Sequence, residues 1–354
     1  MKKMVGIMLL LCSIMPFMAF TSTEDEPYKP ETEQPSDDPN NNEEEDNDTT
    51  PVYGHLTTAN TVSDVVNHEA FNGFGRFILP AERSYNDNMT LQNVASMLPY
   101  HNYITGERAV ETINTMIDYV HDGNTLFYDI YSDADKQADS RKNNTGVFFF
   151  RGEPGKPFAI VCPGGGFSYV GAIHEGFPLA IALSKMGYNA FSIQYRTGGA
   201  QVACEDLAGA IDFIMRHAEE LQVSTDDYSL WGGSAGARMA AYLGSYGTQG
   251  FISAVHPRPA TVVMGYTGHS DYTRNDPPTY VVIGDNDAIA SASVMRQRVE
   301  NLQAIGIDAE FHLFPNLRHG FGLGIGMSAE GWEKDAVAFW EKYISRKNGK
   351  SNRK

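Results

Sequence analysis

Past residue 123 the chain alternates short apolar runs with longer segments of helical period, and this alternation narrows the fold more than any other feature. Strands are expected over residues 125–131, 145–150, 158–162, 190–194, 228–231, 261–264, 280–283 and 310–314, and helices over 176–186, 204–218, 235–246, 291–302 and 331–345. Strands separated by helices of that length require crossover connections, which place the strands parallel in one sheet flanked by helices. The first two or three strands are joined by short connections and are the expected antiparallel exception. The fold class is therefore α/β, with a mostly parallel central sheet.

The rest of the chain divides by composition. Residues 1–22 carry a Lys2-Lys3 start, an apolar run and then small residues, the pattern of a secretory signal peptide, with an uncleaved anchor as the alternative. Leu11 before Cys12 stands where a lipidated cysteine would need a small residue. Residues 23–50 are an acidic linker: from 24 to 50 there are 12 acidic side chains against one Lys, with four Pro, too little apolar surface to offset ordering entropy. Residues 51–122 are expected to form a helical extension, with the clearest helical period at Val110, Ile113, Met116, Ile117 and Val120. Residues 123–346 make the main domain, and 347–354 a basic, disordered tail. The aromatic segment 71–77 is expected either to pack in the core or to close over a site as a lid. Of three cysteines, Cys162 and Cys204 lie past the signal segment, and either a disulfide or two buried thiols fits.

The net charge is −17. A binder of phosphate backbones needs a basic face, so nucleic acid is not an expected partner. The signal segment holds +2, the linker −11 and residues 342–354 +6, leaving −14 on residues 51–341. The acidity thus belongs to the folded part, which disfavours polyanionic substrates and is compatible with neutral ones.

Chemistry concentrates in three places. Gly232-Gly233-Ser234-Ala235-Gly236 stands between an expected strand and an expected helix. A sharp turn there presents the serine hydroxyl above the sheet, and glycines at 232 and 236 let strand and helix approach closely. About seventy residues earlier, strand 158–162 runs into Pro163-Gly164-Gly165-Gly166-Phe167, where backbone N–H groups can converge on one point. Acyl transfer needs such donors where a carbonyl oxygen becomes an oxyanion; the candidates are the N–H groups of Gly165, Gly166 and Ala235. A serine nucleophile also needs a base oriented by an acid. The acids at a strand end are Asp285 and Asp287, with Asp287 preferred as the catalytic one and Asp285 left to line the turn or cap the next helix. The bases are His256, His269, His312 and His319; His319 is preferred because its loop follows the last strand, whereas His312 lies inside a strand.

Other residues carry weaker signals. His174-Glu175-Gly176 lacks metal-ligand spacing and is expected to shape the glycine loop or cap the next helix. Arg196 and Asp206 are expected to be structural. No C-x-x-C pair, P-loop or strand-linked G-x-G-x-x-G occurs, so no metal or cofactor is expected.

Together these segments resemble the α/β-hydrolase superfamily, in particular bacterial esterases related to acetyl xylan and feruloyl esterases, over about residues 125–345. Gly-Asp-Asn-Asp at 284–287 and His-Gly-Phe at 319–321 stand where that family keeps its acid and its base. Pro163 departs from the His that lipolytic relatives carry before the triple glycine. The resemblance implies a serine carboxylic ester hydrolase with a Ser234–His319–Asp287 triad. With the signal segment, it implies a secreted, periplasmic or cell-surface enzyme deacylating plant polysaccharide or oligosaccharide, with no integral membrane domain beyond that segment. The alternatives are an exopeptidase or amidase of the same fold, and a non-catalytic binding module that kept it.

Overall fold

The computed structural model describes residues 54–100 and 103–344. The signal segment, the acidic linker and the basic tail lie outside the described residues.

Eight strands form one sheet in the order β1-β2-β4-β3-β5-β6-β7-β8: β1 (Phe127–Tyr128), β2 (Gly146–Phe150), β3 (Pro157–Cys162), β4 (Asn189–Gln194), β5 (Ser224–Gly233), β6 (Thr261–Gly265), β7 (Thr279–Gly284) and β8 (Ala309–Phe314). β1–β2 and β2–β4 pair antiparallel, and every pairing from β3 to β8 is parallel, as the connection lengths require. All residues of β2, β3, β4, β6 and β7 are buried, and these strands are mostly apolar, with Asn189, Ser192 and Gln194 as buried polar residues in β4.

Nine helices accompany the sheet among the described residues: α1 (Val62–Val66), α2 (Gly106–His121), α3 (Asp133–Ala138), α4 (Phe177–Lys185), α5 (Ala200–Arg216), α6 (Ala218–Leu221), α7 (Ala235–Tyr246), α8 (Ala292–Ala304) and α9 (Trp332–Glu341). Crossovers α4, α5, α7 and α8 link the parallel strands; α5 packs with α7, and α4 with α9. Trp231 of β5 meets Trp332 and Trp340 of α9 at ring separations of 6.1 and 6.5 Å, filling the core beneath the centre of the sheet.

The segment before β1 holds α1, three short 3₁₀ turns and α2. Thr61 and Asp64 cap α1 reciprocally, and the Thr105 hydroxyl accepts the Arg108 N–H to start α2. α2 buries Ala109, Thr112, Ile113, Met116 and Ile117, so its apolar stripe leaves Val110 and Val120 at the margin. The lid reading of residues 71–77 is corrected. Phe71 and Phe77 are buried, and Phe74 stacks on Phe127 of β1 at 5.2 Å and meets Phe148 of β2 edge-on. The segment seals the antiparallel edge of the sheet.

Cys162 and Cys204 are free, buried thiols. Arg196 and Asp206 form a buried ion pair at 2.8 Å, with Asp139 and Glu205 around the same guanidinium. Among the described residues no helix is long and apolar enough to cross a membrane.

Candidate active site

The parallel strands end on one edge of the sheet, and Gly165, Gly166, Ser234, Asp285, Asp287 and His319 all lie on segments leaving that edge, whereas His312 lies within β8 and His256 precedes β6. Ser234 occupies the single residue between β5 and α7, at φ 52° and ψ −115°. A non-glycine residue there carries strain of about 1–3 kcal/mol, held by its surroundings. The Ser234 N–H donates to the Gly265 carbonyl at 2.9 Å, anchoring the turn to β6. A Cβ on Gly236 would stand 1.8 Å from the Cys162 carbonyl oxygen, so only glycine lets the start of α7 pass this close to the end of β3.

His319 Nε2 lies 2.8 Å from Ser234 Oγ, and His319 Nδ1 lies 2.8 Å from Asp287 Oδ2. In the tautomer with the proton on Nδ1, the ring donates to the Asp287 carboxylate and its Nε2 accepts the Ser234 hydroxyl. Asp287 has no exposed side-chain surface; its Oδ1 accepts the N–H groups of Ile289 and Ala290, each at 2.8 Å. The carboxylate is thus held rigidly behind a ring that is itself buried.

Asp285 is not part of this constellation. It accepts the Asn316 N–H at 2.7 Å and ties the β7 turn to the loop that carries His319. His256 pairs with Asp212, His312 stacks on Tyr280, and His269 is buried against Tyr242; none of these three meets Ser234.

The glycine loop lies against the serine. A Cβ on Gly164 would stand 3.0 Å from the Gly233 oxygen and 3.1 Å from the Ser234 Cβ. Gly165, Gly166 and Phe167 all have positive φ, at 141°, 61° and 59°. The Gly164 N–H is taken by Glu175 at 2.6 Å, and the Tyr195 hydroxyl donates to the Pro163 carbonyl at 2.8 Å. Farther along, the Val170 N–H donates to Glu82, whose other oxygen accepts from Gln194. Burial pushes the Glu82 pKa up, against these hydrogen bonds.

Sequence reasoning missed several residues that shape this site. Tyr266, just past β6, packs edge-on against His319 with ring centres 5.4 Å apart. Tyr100, nearly half exposed, approaches the same imidazole at 6.2 Å. The Tyr103 hydroxyl accepts the Arg318 N–H. A lone aromatic at a strand end or in a loop has no motif, so only the fold brings these residues to the site. Among the described residues no group of three or more His, Cys, Asp or Glu side chains is placed to hold a metal ion. The chemistry available is nucleophilic, through a hydroxyl, a base and an orienting carboxylate.

Residues 151–259 match the family model BD-FAE, an α/β-hydrolase esterase family. No curated protein matches the chain. Among solved structures, it is similar to an acetyl ester-xyloside bifunctional hydrolase from Caldicellulosiruptor lactoaceticus at 20% identity and a TM-score of 0.51, over 57% of this chain and 89% of that one. It is also similar to a thermophilic esterase from the Planctomycetes species Thermogutta terrifontis at 17% identity and a TM-score of 0.50, over 57% and 92%. These likenesses show the α/β-hydrolase fold, as the sequence resemblance implied. The family model and both of these neighbours are named for esterases or hydrolases.

Proposed function

We propose that this protein is a secreted serine esterase that deacylates neutral, acetylated or feruloylated saccharides. The reading is carried by the continuous contact Ser234–His319–Asp287, at 2.8 Å on each side of the imidazole. Ser234 attacks the ester carbonyl as its proton passes to His319 Nε2; Asp287 orients the ring and stabilises the imidazolium. Negative charge on the carbonyl oxygen is met by the N–H groups of Gly165, Gly166 and Ala235, with the positive N-terminal end of α7 behind them. His319 then protonates the leaving alcohol. Water, deprotonated by the same imidazole, attacks the acyl-serine carbonyl, and the carboxylic acid leaves as Ser234 recovers its proton.

The saccharide assignment is supported by the exposed Tyr100 ring beside the imidazole, by the acidity of the folded part, and by the acetyl ester-xyloside hydrolase among the fold relatives. Export is supported by the Lys2-Lys3 start and the apolar run to Phe20.

Ser234→Ala tests the reading. Turnover of p-nitrophenyl acetate is expected to fall on the order of 10⁴-fold or more, with the thermal transition preserved. Covalent labelling by a fluorophosphonate is expected to disappear with it. An active Ser234→Ala variant would remove the basis of the mechanism. Acetate release from acetylated xylo-oligosaccharides, compared with release from feruloyl esters and peptides, decides the substrate class.

A further inference from the structure

The glycine loop leaves β3 and the histidine loop leaves β8, and in sheet order β5, β6 and β7 stand between these two strands. Strand pairing alone does not set the distance between two such loops to the tolerance that acyl transfer demands. A buried bridge spans the gap. Glu175 lies in a single π-helical turn, Ala172–Gly176, and is 5% exposed. Its Oε2 accepts the Gly164 N–H at 2.6 Å, and its Oε1 accepts the Tyr266 hydroxyl at 3.0 Å. The Gly322 N–H, three residues past His319, faces the Tyr266 oxygen.

The bridge passes directly beneath the nucleophile. A Cβ on Gly233, the residue before Ser234, would stand 2.7 Å from the Tyr266 hydroxyl and 2.9 Å from Glu175 Oε2. Tyr266 has φ 34°, a conformation that a bulky aromatic residue rarely adopts, and its ring packs edge-on against both His319 and Phe321. A carboxylate buried near a point of developing negative charge opposes the reaction electrostatically. Placed here, it takes up the Gly164 N–H and fixes which way the glycine loop faces.

We propose that Glu175 and Tyr266 are positioning residues: together they hold the glycine loop and the histidine loop in register about Ser234, so that the oxyanion donors and the imidazole are set before substrate arrives. The proposal rests on Ser234 being the nucleophile.

The test uses Tyr266→Phe, which keeps the ring and removes only the hydroxyl, together with Glu175→Ala, Glu175→Gln and the Glu175→Ala/Tyr266→Phe double variant. In Tyr266→Phe and Glu175→Ala, kcat on p-nitrophenyl acetate is expected to fall about 10²-fold with KM within about twofold. Affinity for a trifluoromethyl ketone, whose serine adduct carries the oxyanion, is expected to fall in parallel. Glu175→Gln restores only part of the loss, because its carbonyl still accepts from Gly164 while its amide donates to the Tyr266 oxygen and leaves the phenolic O–H without an acceptor. The double variant loses no more than Glu175→Ala alone, since both changes cut one bridge. Full kcat in Tyr266→Phe, or losses that add in the double variant, overturns the bridge while Ser234→Ala remains inactive. A lowered melting temperature with unchanged kcat per folded molecule also overturns it. Activity surviving in Ser234→Ala overturns the nucleophile and the bridge with it.

Discussion

His269 stands three residues past Tyr266 and is 3% exposed, with no hydrogen-bond partner for its Nε2 among the described residues. Burial, and then the positive charges of Arg298 and Arg238, push its pKa down to about 4 against a weaker opposing pull from Asp271. The unfolded chain therefore binds a proton that the folded one refuses between pH 6.5 and about 4. Stability falls as pH drops through that window, and this residue contributes a loss of about 3 kcal/mol below it. His269→Phe keeps the packing on Tyr242 and removes the proton site. Urea unfolding of both forms at intervals across the window is expected to show a flatter pH slope in the variant; identical slopes would place the acid sensitivity elsewhere. The position of His319 after the last strand set it apart in the sequence, but nothing there marks His269 as buried, because burial is a property of the fold. Ser234 was legible for the opposite reason. Its strained turn needs glycines at 232 and 236, and those needs are local enough to appear as a motif.

At the scale of elements, the buried strands were legible to within a residue or two because a strand enclosed on both faces is mostly apolar, and even β4, which buries Asn189, Ser192 and Gln194, keeps Ala190, Phe191 and Ile193. The exceptions have identifiable causes. β1 pairs only Phe127 with Phe148 and Tyr128 with Val147, although residues 125–131 carry a strand-like composition. β5 begins at Ser224, in a polar stretch whose pairing with Pro157 is set by β3 rather than by its own side chains. α3 buries nothing and is held by the reciprocal cap between Ser132 and Asp135, so it has no apolar period to read. The aromatic segment 71–77 shows the same limit, since composition alone does not separate a lid from a seal. Phe77, 2% exposed and stacked on Phe127 at 5.6 Å, gives the two readings different outcomes. As a seal, Phe77→Ala is expected to lower unfolding stability by about 3–5 kcal/mol while kcat and KM of the folded fraction hold within about twofold. A large KM change at unchanged stability is the signature of a lid and is not expected.

At the scale of the whole molecule, the acidity distinguishes between kinds of ester polymer. The −14 on residues 51–341 lies on the part that binds substrate, whatever the acidic linker does. Such a field repels a polyuronate and leaves a neutral, acetylated xylan unaffected to first order. Exposed charges are screened over a Debye length of about 20 Å near 20 mM salt and about 7 Å near 200 mM. Raising salt across that range is therefore expected to increase kcat/KM for an acetylated polyuronate several-fold, while kcat/KM for an acetylated xylo-oligosaccharide stays nearly constant. Because the His319 and Asp287 side chains are buried and the contacts joining them to Ser234 are short, salt acts on encounter and leaves the proposed chemical step alone, so the effect should appear in kcat/KM and vanish from kcat. Equal salt dependence for the two polymers would mean that the surface around the cleft is locally neutral and that the net charge resides on faces remote from it.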